Sequence, residues 1–348
     1  MDIQDMILRI LGTFKIKYDI LDSEINIDEN SEIVNVHIDL NTVLTQLIKE
    51  EFDSQFSGNN EYIISSGIIN LVAHMRAYFA YRHKLPTRFF LYFTDSKLRN
   101  GCNSFVLDKG KYKNIKKNIS NSIKLVKIIS KYCNRVYFID TDEIEPIVAV
   151  NHLINKFSGK KVEDICITKD MMWYQLLGIP KLSILRPKRD DTILINVENV
   201  YDVLLSNSKY ERREVSVELL SVIFSVCGLK SRNIKGVKNM GLSKTIKSFD
   251  KFIDNGSIVN EYYPRIENLL NDVRLKDSDD IRDNFYKLDL SFNSLSLRMS
   301  DIMKLNDMIQ DKFSKKDLKM LNSTYYTDFN SLMLEELMLD PSSKKIKW

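Results

Sequence analysis

At 348 residues the chain can bury one large core or two smaller ones, on the usual scale of roughly 100–200 residues per domain. Its 44% hydrophobic and 28% charged residues describe a folded globular protein, and a net charge of +4 confines any affinity for polyanions to local patches. The four cysteines (Cys102, Cys133, Cys166, Cys227) form no C-x-x-C pair, which argues against zinc, and no apolar run approaches the roughly 18 residues of a membrane span; a soluble intracellular protein with reduced thiols is expected.

Residues 1–30 open amphipathically through Ile3, Ile7, Leu8 and Leu11, then turn acidic. The apolar run Ile33 to Ile38 predicts a strand ending in Asp39. Helical spacing from Ile63 to Phe79 is broken at Pro86, and Arg88 to Phe93 predicts a second strand, ending in Thr94 and Asp95. A basic, loop-like region follows, with Lys97, Arg99, Lys109, Lys111, Lys113, Lys116 and Lys117. A helix over Ile119 to Tyr132 leads to a third strand, Arg135 to Ile139, and an acidic run from Asp140 to Glu145. Pro146 suits the first turn of a helix reaching Phe157. Asp164 to Ile167 predicts a fourth strand, followed by Asp170, a helix over Met171 to Leu177, and a short fifth strand, Leu182 to Leu185. From about Val215 the pattern is helical, including Ile266 to Val273, Ile281 to Leu290 and Met299 to Met338, before a basic tail.

Strands alternating with helices predict an α/β fold, a parallel doubly wound sheet over about residues 1–205, with a helical region over 206–340. Ligands of such sheets sit at the carboxyl ends of the strands, so Asp39, Asp95, the cluster at 140–145 and Asp170 would converge on one rim. Carboxylates without His or Cys neighbours suit Mg²⁺ or Mn²⁺. Two such ions about 4 Å apart clamp the attacking and leaving oxygens in phosphodiester cleavage. With the basic loops to neutralise phosphate, these residue types point to a metal-dependent nuclease. His37, His74, His83 and His152 have no metal-ligand partner at i+3 or i+4, and Trp173 and the methionines of 299–338 read as packing residues.

The stretch Cys227 to Phe249 joins two helical segments through a polar turn carrying Gly236 and Gly241. Lys235, Lys238 and Lys244 crowd that turn, and Ser243 and Thr245 add hydroxyls. Backbone amides at a helix start, ringed by cations, suit a nucleic-acid phosphate.

The run G-V-x-x-x-G-x-x-K-T resembles the helix-hairpin-helix, here over 219–253, of the flap endonuclease and 5′-3′ exonuclease family, with Gly228, Ser231, Asn233 and Ile234 in register. Ile38-Asp39 and Phe93-Thr-Asp95 resemble the first two strand motifs of that family, whose nuclease core is PIN-like, with Arg99 downstream. Leu107 to Lys117 resembles the base of its helical arch, within about residues 97–130, where Tyr112, Lys113, Lys116 and Lys117 would contact DNA. Glu143-Ile-Glu145-Pro146 resembles the acidic quartet, and Thr168-Lys-Asp170 the fourth strand end. An alternative register would use Asp140, Asp142 and Glu143; the match of Ile147 to Ala149 favours Glu143 and Glu145.

The resemblance implies that Asp39, Asp95, Glu143, Glu145 and Asp170 are metal-binding and catalytic, and that Arg99, Tyr112, Lys113, Lys116, Lys117, Gly236, Lys238, Gly241, Lys244 and Thr245 bind DNA. It departs where Pro146, Met172, Leu229 and Arg232 replace carboxylates, so a second metal site would keep only Asp170. Arg232 would set a cation against that site. The implied function is a 5′ nuclease acting on DNA or RNA–DNA ends and flaps in replication or repair, with an impaired second metal site. The alternative is an inactive relative that binds branched DNA.

Overall fold

Strand β1 (Ile33–Asp39) is rich in β-branched residues and buried from Val34 onward, as expected of a strand covered on both faces. The computed structural model describes residues 27, 30–44, 60–94, 119–128, 130, 133, 135–140, 147, 150, 153–154, 161–187, 192–205, 217–253 and 278–290. Helix α1 (Asn60–Arg82) follows, and the chain returns as β2 (Thr87–Phe93), all seven of whose residues are buried. Lys84, at φ 56°, turns the chain out of α1 ahead of Pro86. A helical segment at 119–128 precedes β3 (Val136–Asp140). Then come β4 (Val162–Ile167), β5 (Leu182–Pro187) and β6 (Thr192–Ile195).

The six strands run in the order β3-β2-β1-β4-β5-β6. β1 pairs in parallel with β2 and β4, and β2 with β3, so these four strands point their carboxyl ends the same way. Phe93 pairs with Asp140, Asp39 with Tyr92 and Ile38 with Ile167. One face of β1 carries Val34, Val36 and Ile38 into a core with Ile68, Val72, Met75 and Phe79 of α1 and Ile123 and Val126 of the helical segment. The opposite face carries Asn35, His37 and Asp39. Strand β6 was not expected, and β5 extends two residues beyond the predicted end.

Described residues of Met1–Lys169 and Leu185–Leu194 belong to one compact unit, and those of Asp170–Ile184 and Ile195–Leu297 to a second. The expected boundary after residue 205 falls inside the second unit. That unit opens with a 3-10 helix, Met171–Gly178, at the helix predicted over Met171 to Leu177. It continues through α2 (Val200–Leu205), a 3-10 turn at Val217–Leu219 and α3 (Leu220–Cys227). A two-stranded antiparallel hairpin, β7 (Gly228–Leu229) and β8 (Ile234–Lys235), leads through a turn to α4 (Leu242–Ile253). The last described helix is α5 (Ser278–Leu288). Every residue of α3 from Leu220 to Val226 is buried, and it packs against α4, α5 and the first 3-10 helix.

Candidate active site and nucleic-acid interface

Strand order reverses direction between β1 and β4, since the chain builds outward from β1 to β2 and β3 before returning to β4. Such a switch point opens a crevice at the carboxyl ends of the two strands, the usual ligand position in open α/β sheets. Asp39 ends β1 there, and its carboxylate caps the helix that starts at Leu40. Oδ1 accepts the N–H groups of Asn41 (3.1 Å) and Thr42 (3.3 Å). Oδ2 accepts the hydroxyls of Thr42 (2.7 Å) and, from the end of β4, Thr168 (2.8 Å). Thr42 Oγ1 in turn accepts the N–H of Lys169 at 3.3 Å. The Asn41 amide, oriented so that both bonds form, spans the Thr94 peptide and ties the end of β2 to the same place.

These four donors fill the in-plane lone pairs of Asp39. A carboxylate held this way is fixed in direction. To take a hard cation at Oδ2, one of the two threonine hydroxyls would have to rotate and turn a lone pair toward the ion. Thr168 reaches Asp39 only through the fold, from 129 residues away, whereas Asn41 and Thr42 belong to a local helix cap that the sequence reading did not name.

Behind Asp39 lies a buried polar network on the same sheet face. His37 stands between the Tyr92 hydroxyl on Nδ1 (2.8 Å) and Asp164 Oδ1 on Nε2 (2.9 Å). Burial, with the charges of Cys166 and Asp164 adding to it, pushes the Tyr92 phenol well above its ordinary value. In the Nε2–H tautomer, Nε2 donates to Asp164 and Nδ1 accepts the phenol O–H. Asn35 Nδ2 also donates to Asp164 Oδ1 (2.9 Å), while Arg88 Nε donates to Asn35 Oδ1 (2.8 Å). Phe90 stacks on the His37 ring, with centroids 5.0 Å apart. Both ring nitrogens of His37 are thus taken up in this network.

In the second unit, Asp170 caps the 3-10 helix by accepting the N–H of Met172 at Oδ1 (3.1 Å). Ser231 Oγ donates to the same oxygen (3.1 Å), and Arg232 Nη2 forms an ion pair with Oδ2 at 2.9 Å. Met172 and Leu229, where the resemblance would have carboxylates, are buried apolar side chains. A divalent ion does not fit this carboxylate, which already holds a guanidinium.

The hairpin depends on two close backbone approaches. Gly228 has φ +77°, ψ 163°, a region only glycine adopts readily. A Cβ on Gly236 would lie 2.2 Å from the carbonyl carbon of Cys227. Gly236 is therefore required for packing, whereas a Cβ on Gly241 would meet nothing within 4 Å. Asn284 of α5 bonds the carbonyls of Ser225 (3.1 Å) and Lys235 (2.8 Å) and fastens the hairpin down. Gly236→Ala should lower stability by about 1–3 kcal/mol, read as a lower urea midpoint, while Gly241→Ala should leave it within about 0.5 kcal/mol.

Lys230, Lys235, Lys238, Lys244 and Lys247 are exposed around this hairpin and the start of α4. Lys244 Nζ donates to the Asn239 carbonyl (3.2 Å), which holds the lysine over the turn. Thr245, expected to meet phosphate, is buried instead, and its hydroxyl donates to the Gly241 carbonyl (3.1 Å). Asp95, Glu143, Glu145, Arg99, Tyr112, Lys113, Lys116 and Lys117 lie outside the described residues. Among the described residues no three His, Cys, Asp or Glu side chains gather into a metal-binding group. No helix among them is long and apolar enough to cross a membrane.

No family model and no curated protein matches the sequence. The structure is similar to that of the flap endonuclease of bacteriophage T5 in complex with DNA and metal ions. The TM-score is 0.55 at 13% identity, over 83% of this chain and 99% of that one. The T5 5′-exonuclease with bound zinc ions aligns with TM-score 0.55 and 12% identity, over 80% of this chain and 99% of that one. A third T5 structure, co-crystallised with metal ions, gives 0.53 and 14% over 82% and 99%. The chain therefore shares the fold of the T5 5′-nuclease structures, an α/β core of mainly parallel strands joined to a helical region, at 12–14% sequence identity.

Proposed function

We infer that this chain is a divergent 5′ nuclease, hydrolysing phosphodiester bonds at the 5′ ends or flaps of DNA or RNA–DNA hybrids during replication or repair. The observation that carries this reading is the Asp39 carboxylate, held at the switch point by hydrogen bonds from Thr42, Thr168 and two backbone amides. Asp39 with Asp95, Glu143 and Glu145 would hold a Mg²⁺ or Mn²⁺ ion. When bound, that ion supplies Lewis-acid stabilisation of charge on a phosphoryl oxygen. The chain's own residues bind and orient the substrate: the exposed lysines around the hairpin engage the backbone of duplex DNA, and Arg99, Tyr112, Lys113, Lys116 and Lys117 take its 5′ strand.

A labelled 5′-flap duplex incubated with Mg²⁺ or Mn²⁺ should be cut slowly, and a chelator should stop the reaction. Lys238→Ala with Lys244→Ala should weaken duplex binding without altering sequence preference, since phosphate contacts carry no base information. Each lost contact should also flatten the log–log salt dependence by about one unit. Unchanged affinity and slope would give the turn a structural role only. The Arg232–Asp170 ion pair favours a second reading, a binding module for branched DNA without cleavage. Tight flap binding with no product in either metal would select it.

A further inference from the structure

We propose that the positive charge set against a bound phosphodiester at Asp170 is the guanidinium of Arg232, fixed there in place of a divalent ion. The assignment takes its ligand, a phosphodiester, from the nuclease reading above; the rest comes from the geometry of the second unit.

Asp170 already accepts Met172 N–H and Ser231 Oγ on Oδ1, and its Oδ2 is paired with the Arg232 guanidinium 2.9 Å away. The side chains of Arg232 and Asp170 are only 12% and 13% exposed, so their pairing is poorly screened by water. An ion seated on Asp170 would have to expel the guanidinium or sit beside it against direct repulsion. Mg²⁺ is poorly suited to either, because it surrenders its waters reluctantly and demands octahedral ligands.

Arg232 is also held as a binding group must be. It ends the 3-10 turn Lys230–Arg232, which Asn233 closes in the left-handed conformation (φ 54°, ψ 33°). The strands either side, β7 and β8, are locked by the Gly228–Gly236 approach and by Asn284. A guanidinium keeps its charge at any working pH and offers five donors in a planar fork that matches phosphate geometry. Lys230 and Lys235, exposed on the same hairpin, extend the cationic surface on which a phosphate backbone would lie.

The test uses the full chain, counting Mn²⁺ by paramagnetic titration and measuring 5′-flap affinity by anisotropy in chelator, where no metal contributes. Asp170→Asn should change Mn²⁺ affinity less than about twofold, because the residue is no ligand. The neutral pair Arg232→Met with Asp170→Asn avoids a stranded buried charge. It should lower flap affinity about tenfold and flatten the salt slope by about one unit. Arg232→Lys should keep the slope and lose part of the affinity, since an ammonium lacks the fork. A loss of Mn²⁺ affinity of tenfold or more in Asp170→Asn would overturn the proposal. So would a folded neutral-pair protein that binds flaps like the wild type. A wild type that neither cuts nor takes up Mn²⁺, yet loses affinity and slope in the neutral pair, would end the nuclease reading and leave Arg232 as the phosphate group. Should the neutral pair fail to fold, Asp170→Asn and Arg232→Lys decide the question alone.

Discussion

Asp39→Asn is expected to slow flap cleavage about 10²–10³-fold, the loss typical of one charge-stabilising group, while the protein stays folded. Asparagine caps a helix about as well as aspartate, so the N–H groups of Asn41 and Thr42 keep their acceptor. The hydroxyls of Thr42 and Thr168 can rotate to accept from the new amide. What disappears is the charge that would attract a cation. Asp39→Ala should remove cleavage to a similar extent and cost about 0.5–2 kcal/mol besides, because the cap goes too. Comparing the two by rate and by urea midpoint separates the chemical role of Asp39 from its structural one. Equal rates in wild type and Asp39→Asn would remove Asp39 from the site.

The largest effect on stability is expected at Asp164→Ala, about 3–5 kcal/mol, measured as a fall in the denaturation midpoint of the first unit. Asp164 Oδ1 is the common acceptor for Asn35 and His37, both fully buried. Alanine would strand two donors where no water replaces the lost acceptor, at about 1–3 kcal/mol each. Asp164→Asn retains an oxygen and should cost less than half as much. With whole-domain stabilities of about 5–15 kcal/mol, the alanine variant would be partly unfolded at 37 °C. A cost below about 1 kcal/mol would mean the network contributes little to the fold.

The strands β1 to β4 were visible in the sequence because their apolar runs are local: a parallel strand covered on both faces must be apolar almost throughout. The same locality put Asp39 at the end of β1 and made glycines stand out in the turn before α4. Strand β6, Thr192–Ile195, was missed. Thr245 was misread because an alternation of lysine and hydroxyl residues does not say which side chains a helix turns inward. Only the tertiary structure decided the surroundings of the two carboxylates. Thr168 lies 129 residues from Asp39, and His37 lies 127 from Asp164. Ser231 lies 61 residues from Asp170, to which Arg232 is also bound. Sequence spacing constrains partners within a few residues, through helical and strand periods; it does not constrain pairs this distant, which are set by strand order and by how a hairpin docks. The residue types thus determined that carboxylates and cations were present, and the fold decided that Asp39 is held by hydroxyls and amides while Asp170 is held by an arginine.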